Sequence, residues 1–99
     1  MLFISGQVGV DRDGTVPEEP EAQFEVALRN VMANVDAAGF EPSDVVKMIT
    51  YVVGQLDRDA RRAALDREFG EHWTTSTLIY VSGLATPELK VEIDAWAMR

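Results

Sequence analysis

The amino-acid sequence predicts an α+β domain in which helices pack against a small mixed β-sheet. Three observations carry this reading: apolar residues at three- and four-residue spacing from Phe24 to Ala38, a β-branched run at Val45–Val53, and strict alternation through Val91–Ala97. At 99 residues the chain makes one domain, residues 1–99. A domain of this size buries roughly two thirds of its unfolded surface, which favours assembly with further copies.

The elements follow in order. Leu2 to Val10 is rich in β-formers and runs into Asp11-Arg12-Asp13-Gly14, a turn signal, so it reads as a strand and then a loop to Pro20. Pro17, Glu18, Glu19 and Pro20 put prolines and acids ahead of a helix, where both are favourable. From Glu21, Phe24, Ala27, Leu28, Val31, Met32, Val35 and Ala38 form one stripe of a helix, and Gly39 supplies its left-handed end. Glu41-Pro42-Ser43-Asp44 is a connector.

Val45–Val53, closed by Gly54, is apolar on both alternating sets, which predicts a central strand covered on both faces. The long helix covers one face, and a partner subunit is the natural cover for the other. Asp57 to Phe69 carries Ala60, Ala63, Ala64, Leu65 and Phe69 among charges, a second helix ended by Gly70. Thr74 to Val81 is a strand, Ser82 to Pro87 a turn, and Leu89 to Met98 the last strand.

Charge narrows the function classes. Nine basic against seventeen acidic residues leave a net charge of −8, which phosphate backbones repel. The densest basic group, Arg58, Arg61, Arg62 and Arg67, is interleaved with Asp57, Asp59, Asp66 and Glu68, the pattern of an ion-paired helix face. A nucleic-acid partner is disfavoured. The chain has no cysteine, so disulfides, thiolate nucleophiles and thiolate metal ligands are excluded, and a reducing cytoplasm fits. No signal peptide or apolar stretch of membrane-spanning length is present, so a soluble protein is expected.

Candidate chemistry sits mainly on the last strand. In Val91-Glu92-Ile93-Asp94-Ala95-Trp96-Ala97 the aliphatic odd positions form a core face, leaving Glu92, Asp94 and Trp96 on the other. On solvent those carboxylates are surface acids; in a cleft between subunits, desolvation suits one of them for proton transfer. His72 is the sole histidine and reads as a surface or capping residue, with no metal-site pattern around it. Ser5, Ser76 and Ser82 lie in no nucleophile elbow, and Gly6 and Gly9 form no phosphate loop. Tyr51 is either core or pocket wall, while Trp73 and Trp96 are candidates for a subunit interface.

Several segments taken together resemble the RidA/YjgF family. Leu2-Phe3-Ile4-Ser5-Gly6-Gln7-Val8 is similar to its opening I-x-S-G-Q strand. Gln23, Leu28, Asn30-Val31, Ala37-Ala38-Gly39 and Asp44-Val45-Val46-Lys47 resemble its first helix, A-A-G cap and strand entry. Phe69-Gly70-Glu71-His72 and Val91-Glu92-Ile93-Asp94-Ala95 resemble its Glu-His pair and its V-E-I-D/E-A tail. The resemblance covers essentially the whole chain. It implies a chorismate-mutase-like fold with two helices on one face of the sheet, assembled as a homotrimer with small-molecule clefts at the subunit interfaces. It further implies hydrolysis of imines or enamines to a keto acid and ammonia, with no metal or organic cofactor.

The resemblance assigns the catalytic role to Glu92 and ligand contacts to Ser5, Gly6, Ser76 and Thr77; Arg62 is a further candidate ligand contact, from the second helix. The family holds its substrate carboxylate with an arginine in a P-x-R-S/T segment after the Glu-His pair. Here that stretch reads Trp73-Thr74-Thr75-Ser76-Thr77, so Ser76 takes the arginine's place, and a shift by one residue gives Thr77. A hydrogen bond to a charged group contributes roughly 1.5–3 kcal/mol and one to a neutral hydroxyl about half that. Arg61 or Arg62 would have to reach over from the second helix to replace the lost charge. The family's first strand, with its pocket tyrosine, would precede Met1. Two readings follow: a hydrolase of altered substrate or weak activity that relies on Glu92, or a non-catalytic binding or regulatory trimer. The endoribonuclease label carried by the family is opposed by the −8 charge.

Overall fold

The computed structural model describes residues 1–99 as four strands and two helices. In chain order these are β1 (Leu2–Val8), α1 (Pro20–Ala37), a 3₁₀ turn (Pro42–Asp44), β2 (Val45–Val52), α2 (Arg58–Phe69), β3 (Thr75–Tyr80) and β4 (Val91–Ala97). The expected order of elements is therefore present. The sheet runs β1-β4-β2-β3, with β4 antiparallel to both β1 and β2, and β2 parallel to β3. Both helices lie on one face.

Local chemistry explains the element ends. Pro20 opens α1, and Glu21 stands in its first turn against the positive end of the helix dipole. After Ala37 the chain closes in a Schellman motif: Gly39, at φ 78°, donates its N–H to Asp36 O at 2.9 Å, and Phe40 N–H bonds Val35 O at 3.0 Å. Ala38, assigned by its spacing to the apolar stripe, is instead the exposed cap residue, because the helix has already ended there. Asp57 caps α2 by accepting from Ala60 N–H at 2.9 Å. The connector at Pro42–Asp44 winds into a 3₁₀ turn, held by a reciprocal capping box between Glu41 and Asp44.

One core fills the space between the helices and the sheet. Phe24, Leu28, Val31 and Val35 from α1 meet Met48 and Val52 from β2 and Val91, Ile93 and Ala95 from β4, with Leu65 and Phe69 of α2 closing one end. The alternation of β4 is realised fully: its odd positions are buried and Glu92, Asp94 and Trp96 face outward. On β2, Met48, Thr50 and Val52 are buried, whereas Lys47, Ile49 and Tyr51 on the opposite face remain partly open. The two-sided cover expected for this strand is thus present on one side within a single chain.

The strand β1 stops at Val8, short of the expected Val10, because the chain there must pass directly against α1. A Cβ on Gly9 would stand 2.7 Å from the Gln23 Cβ and 2.9 Å from its backbone. Gln23, fully buried, holds this junction. Its amide donates to Pro17 O at 2.8 Å and Glu88 O at 2.9 Å, and its oxygen accepts from Lys90 N–H at 2.7 Å. Asn30 adds two bonds from Nδ2, to Val8 O and Val10 O, both at 3.0 Å. No helix is long and apolar enough to cross a membrane.

Replacing Gln23 with Leu keeps the volume but leaves two carbonyls and one N–H without their partners against a fully buried side chain. Each such group costs about 1–3 kcal/mol. Gln23→Leu is therefore expected to lower unfolding free energy by about 3 kcal/mol or more, read from the urea midpoint at unchanged slope.

Candidate functional site

The outward face of the sheet collects the polar side chains that the sequence singled out on β4. Register places Glu92 beside Tyr51 and Val8, and Asp94 beside Ile49. Between Ile4 and Gln7 the β1–β4 register shifts, and Gly6 sits in that bulge at φ 62°, a backbone conformation that costs most other residues about 1–2 kcal/mol. The bulge turns the Gly6 N–H onto Asp94 Oδ1 at 2.7 Å. Tyr51 donates its hydroxyl to Asp94 Oδ2 at 3.3 Å. Asp94 is thus fixed at both oxygens.

Glu92 is different. It makes no hydrogen bond and no ion pair within the chain, and a Cβ on Gly6 would lie 4.0 Å from its Oε2. The glycine leaves open space beside a carboxylate free to bind water or a ligand. Partial burial, followed by the charge and hydrogen bond of Asp94, raises the Tyr51 pKa above the ordinary phenol value. Tyr51 therefore stays a donor at neutral pH, at the wall of this site. No group of three or more His, Asp or Glu side chains stands close enough to hold a metal ion.

β3 settles which hydroxyl shares this face. Leu78 packs on the core from the helix side, so Ser76 and Tyr80 lie on that side and Thr77 and Ile79 on the side of Glu92. Thr77 pairs in register with Ile49, and its hydroxyl accepts from Lys47 Nζ at 3.1 Å. Ser76 instead accepts from Arg61 Nη2 at 3.0 Å, under α2. Arg62 lies over the Trp73 ring, 4.6 Å from its centroid, and stands 3.5 Å from Asp66. Within one chain, then, Gly6, Thr77 and Glu92 share a face, and Ser76 and Arg62 belong to a separate cleft behind β3. Ser5 is exposed beside the bulge, its carbonyl accepting from Gln7 Nε2 at 3.1 Å. His72, expected as a surface or capping residue, is instead half-buried: its Nε2 bonds Val45 O at 2.9 Å and its ring lies 6.0 Å from that of Phe69, tying the end of α2 to β2.

Comparison with known proteins fits this geometry. The whole chain, residues 1–99, matches the family described as Endoribonuclease L-PSP. It is 36% identical to the 2-iminobutanoate/2-iminopropanoate deaminase of Salmonella typhimurium over 103 aligned positions, covering 100% of this chain and 80% of that protein. The chain belongs to the RidA/YjgF family. Crystal structures of family members superpose closely. Escherichia coli TdcF with bound serine has a TM-score of 0.86 at 32% identity, covering 98% of this chain and 79% of TdcF. The E. coli YjgF gene product gives the same TM-score at 34% identity, over 98% and 79%. The RidA/YjgF fold expected from the motifs is thus shown.

Lys47, quoted only as part of the strand-entry motif, and Tyr51, left open as core or pocket wall, share the face of Glu92 because of their odd positions on β2. For Tyr51 the sign of a charge effect is testable. Removing the Asp94 carboxylate removes a negative charge that opposes phenolate formation, so Asp94→Asn lowers the pH at which Tyr51 ionises. Ultraviolet titration in a Tyr80→Phe background, where Tyr51 is the only phenol, reads this shift.

Proposed function

We propose that this chain forms a homotrimer binding small molecules at its subunit interfaces, and that it hydrolyses imines or enamines at Glu92 without a cofactor. The observation that carries the reading is the Glu92 carboxylate, unpaired beside the Gly6 bulge on an otherwise partly apolar sheet face. The names of its relatives supply the substrate class, 2-imino acids. Support for assembly comes from the same face, where Phe3 is 69% exposed and Ile79 42%, with Ile49 and Trp96 only half-covered.

The chemistry balances with one carboxylate. Glu92 takes a proton from water as the water oxygen bonds to the imine carbon, and the nitrogen becomes an amine. Glu92 passes that proton to the nitrogen to complete the carbinolamine. It then takes the carbinol hydroxyl proton and delivers it to the amine as the carbon–nitrogen bond breaks, so that a ketone and ammonia leave. On the face of Glu92, β3 presents the Thr77 hydroxyl and no guanidinium, so Lys47, bonded to Thr77, is the cation left to meet a substrate carboxylate. An ammonium is a point charge without the planar fork of arginine, so orientation is weaker than in relatives that carry the arginine. That same substitution favours a second reading, a non-catalytic ligand-binding or regulatory trimer. The −8 charge speaks against RNA as substrate.

Ammonia release from freshly generated 2-aminoacrylate tests the proposal. The intact protein is expected to exceed buffer, and Glu92→Gln to lose about 10²–10⁴-fold. No release above buffer overturns the hydrolase and leaves the binding reading. Light scattering is expected to give three times the 11.0 kDa chain mass, and a monomer mass at working concentration overturns the assembly.

A further inference from the structure

Behind β3, on the helix side of the sheet and away from Glu92, α2 and the segment after it enclose a cleft of about 290 Å³. Its floor includes Leu65 and Phe69, one wall is Trp73, and Arg61, Arg62 and Ser76 supply its donors. This volume lies at the small end of ligand sites, enough for a molecule of a few heavy atoms.

The charges in it are unusual for so acidic a chain. Arg61 is half-buried and has no carboxylate partner; its one hydrogen bond runs from Nη2 to Ser76 Oγ. Its Nε is shut off from solvent and has no partner at all. Arg62 stands next to it, held over Trp73 and paired on its outer side with Asp66. Burial, then the Arg62 charge, push the Arg61 pKa below the ordinary arginine value, as befits a cation without a counter-ion. An unpaired, desolvated guanidinium is costly, and one acceptor with two oxygens would relieve it.

We infer that this cleft is an oxyanion site, in which Arg61, seated on Ser76, and Arg62 bind the carboxylate of a small monocarboxylic acid whose apolar body lies against Leu65, Phe69 and Trp73. The apolar floor selects an organic acid over an inorganic ion. The Asp66 carboxylate at the rim and the net charge of −8 select one negative charge over two, which disfavours phosphate. The site stands apart from the proposed hydrolase, since its ligand touches neither Glu92 nor the face that carries it.

Titration of the intact protein with butyrate, followed by the indole N–H resonance of Trp73 in a Trp96→Phe background, tests this directly. The expected result is a saturable shift in the low-millimolar range, weakened at least tenfold by Arg61→Met and severalfold by Ser76→Ala. Arg67→Met removes the same charge from the same helix, where Arg67 pairs with Glu25 at 2.6 Å, and is expected to leave binding within twofold. Thermal unfolding checks that Arg61→Met remains folded. If it does not, Arg61→Lys, which keeps the charge and loses the fork, is expected to weaken binding instead. A shift that does not saturate, one unchanged by both Arg61 variants, or inorganic phosphate binding as tightly as butyrate would each overturn the inference. The readout is binding alone, so it stands or falls independently of ammonia release.

Discussion

A single buried amide sets the geometry on which the rest of this molecule depends. Gln23 has no solvent contact, and its three hydrogen bonds join the loop before α1 to the segment that leads into β4. Without those bonds the two segments would have to bury unpaired backbone groups or draw water into the core, each at a cost of about 1–3 kcal/mol. Because Lys90 is bonded to Gln23 and Val91 begins β4, the clamp fixes where the last strand starts. A slip of one residue would exchange its two faces, placing Glu92 and Asp94 in the core. The position of the carboxylates is therefore decided some distance from them, by an amide on the opposite side of the sheet.

The sheet then acts as a partition. On its outward side a carboxylate pair is arranged asymmetrically, Asp94 restrained by Gly6 and Tyr51 and Glu92 unrestrained. On the helix side, beneath α2, guanidinium groups gather around Ser76. The Glu92–Asp94 pair and the Arg61–Arg62 pair thus lie on opposite sides of one β-layer, and the alternation of β3 decides which of two adjacent hydroxyls belongs to which. Thr77 joins the acidic side, supported by Lys47, and Ser76 the basic side, supported by Arg61.

The chain's own pattern made some of this plain and hid the rest. The α1 stripe and the alternation of Val91–Ala97 were readable because one face of each is buried and the other is not, so hydrophobicity carries the phase. β3 offers no such contrast. Five of its six residues are exposed, so composition could not say whether Ser76 or Thr77 faces Glu92; pairing with β2 was needed. Gln23 appeared as part of a family motif, but its role depends on Glu88 and Lys90, 65 and 67 residues away, which no local pattern records. Arg61 and Arg62 read as a solvated face because both lie among acids in sequence. Packing of α2 on the sheet separates them, turning Arg61 inward to Ser76 and leaving Arg62 with Asp66.

The free border of β3 bears on how the chain behaves alone. The segment Thr75–Tyr80 carries no charge, is rich in β-formers, and has a hydrogen-bonded neighbour on one side only. Such a border is a template for a strand from another copy, and proteins commonly protect it with lysine, proline or a bulge, none of which this segment has. Mutual repulsion between copies at a net charge of −8 is the protection this chain does possess. That repulsion fades as the solution approaches the isoelectric pH of about 4.4, so acidification removes what keeps the borders of unassembled copies apart.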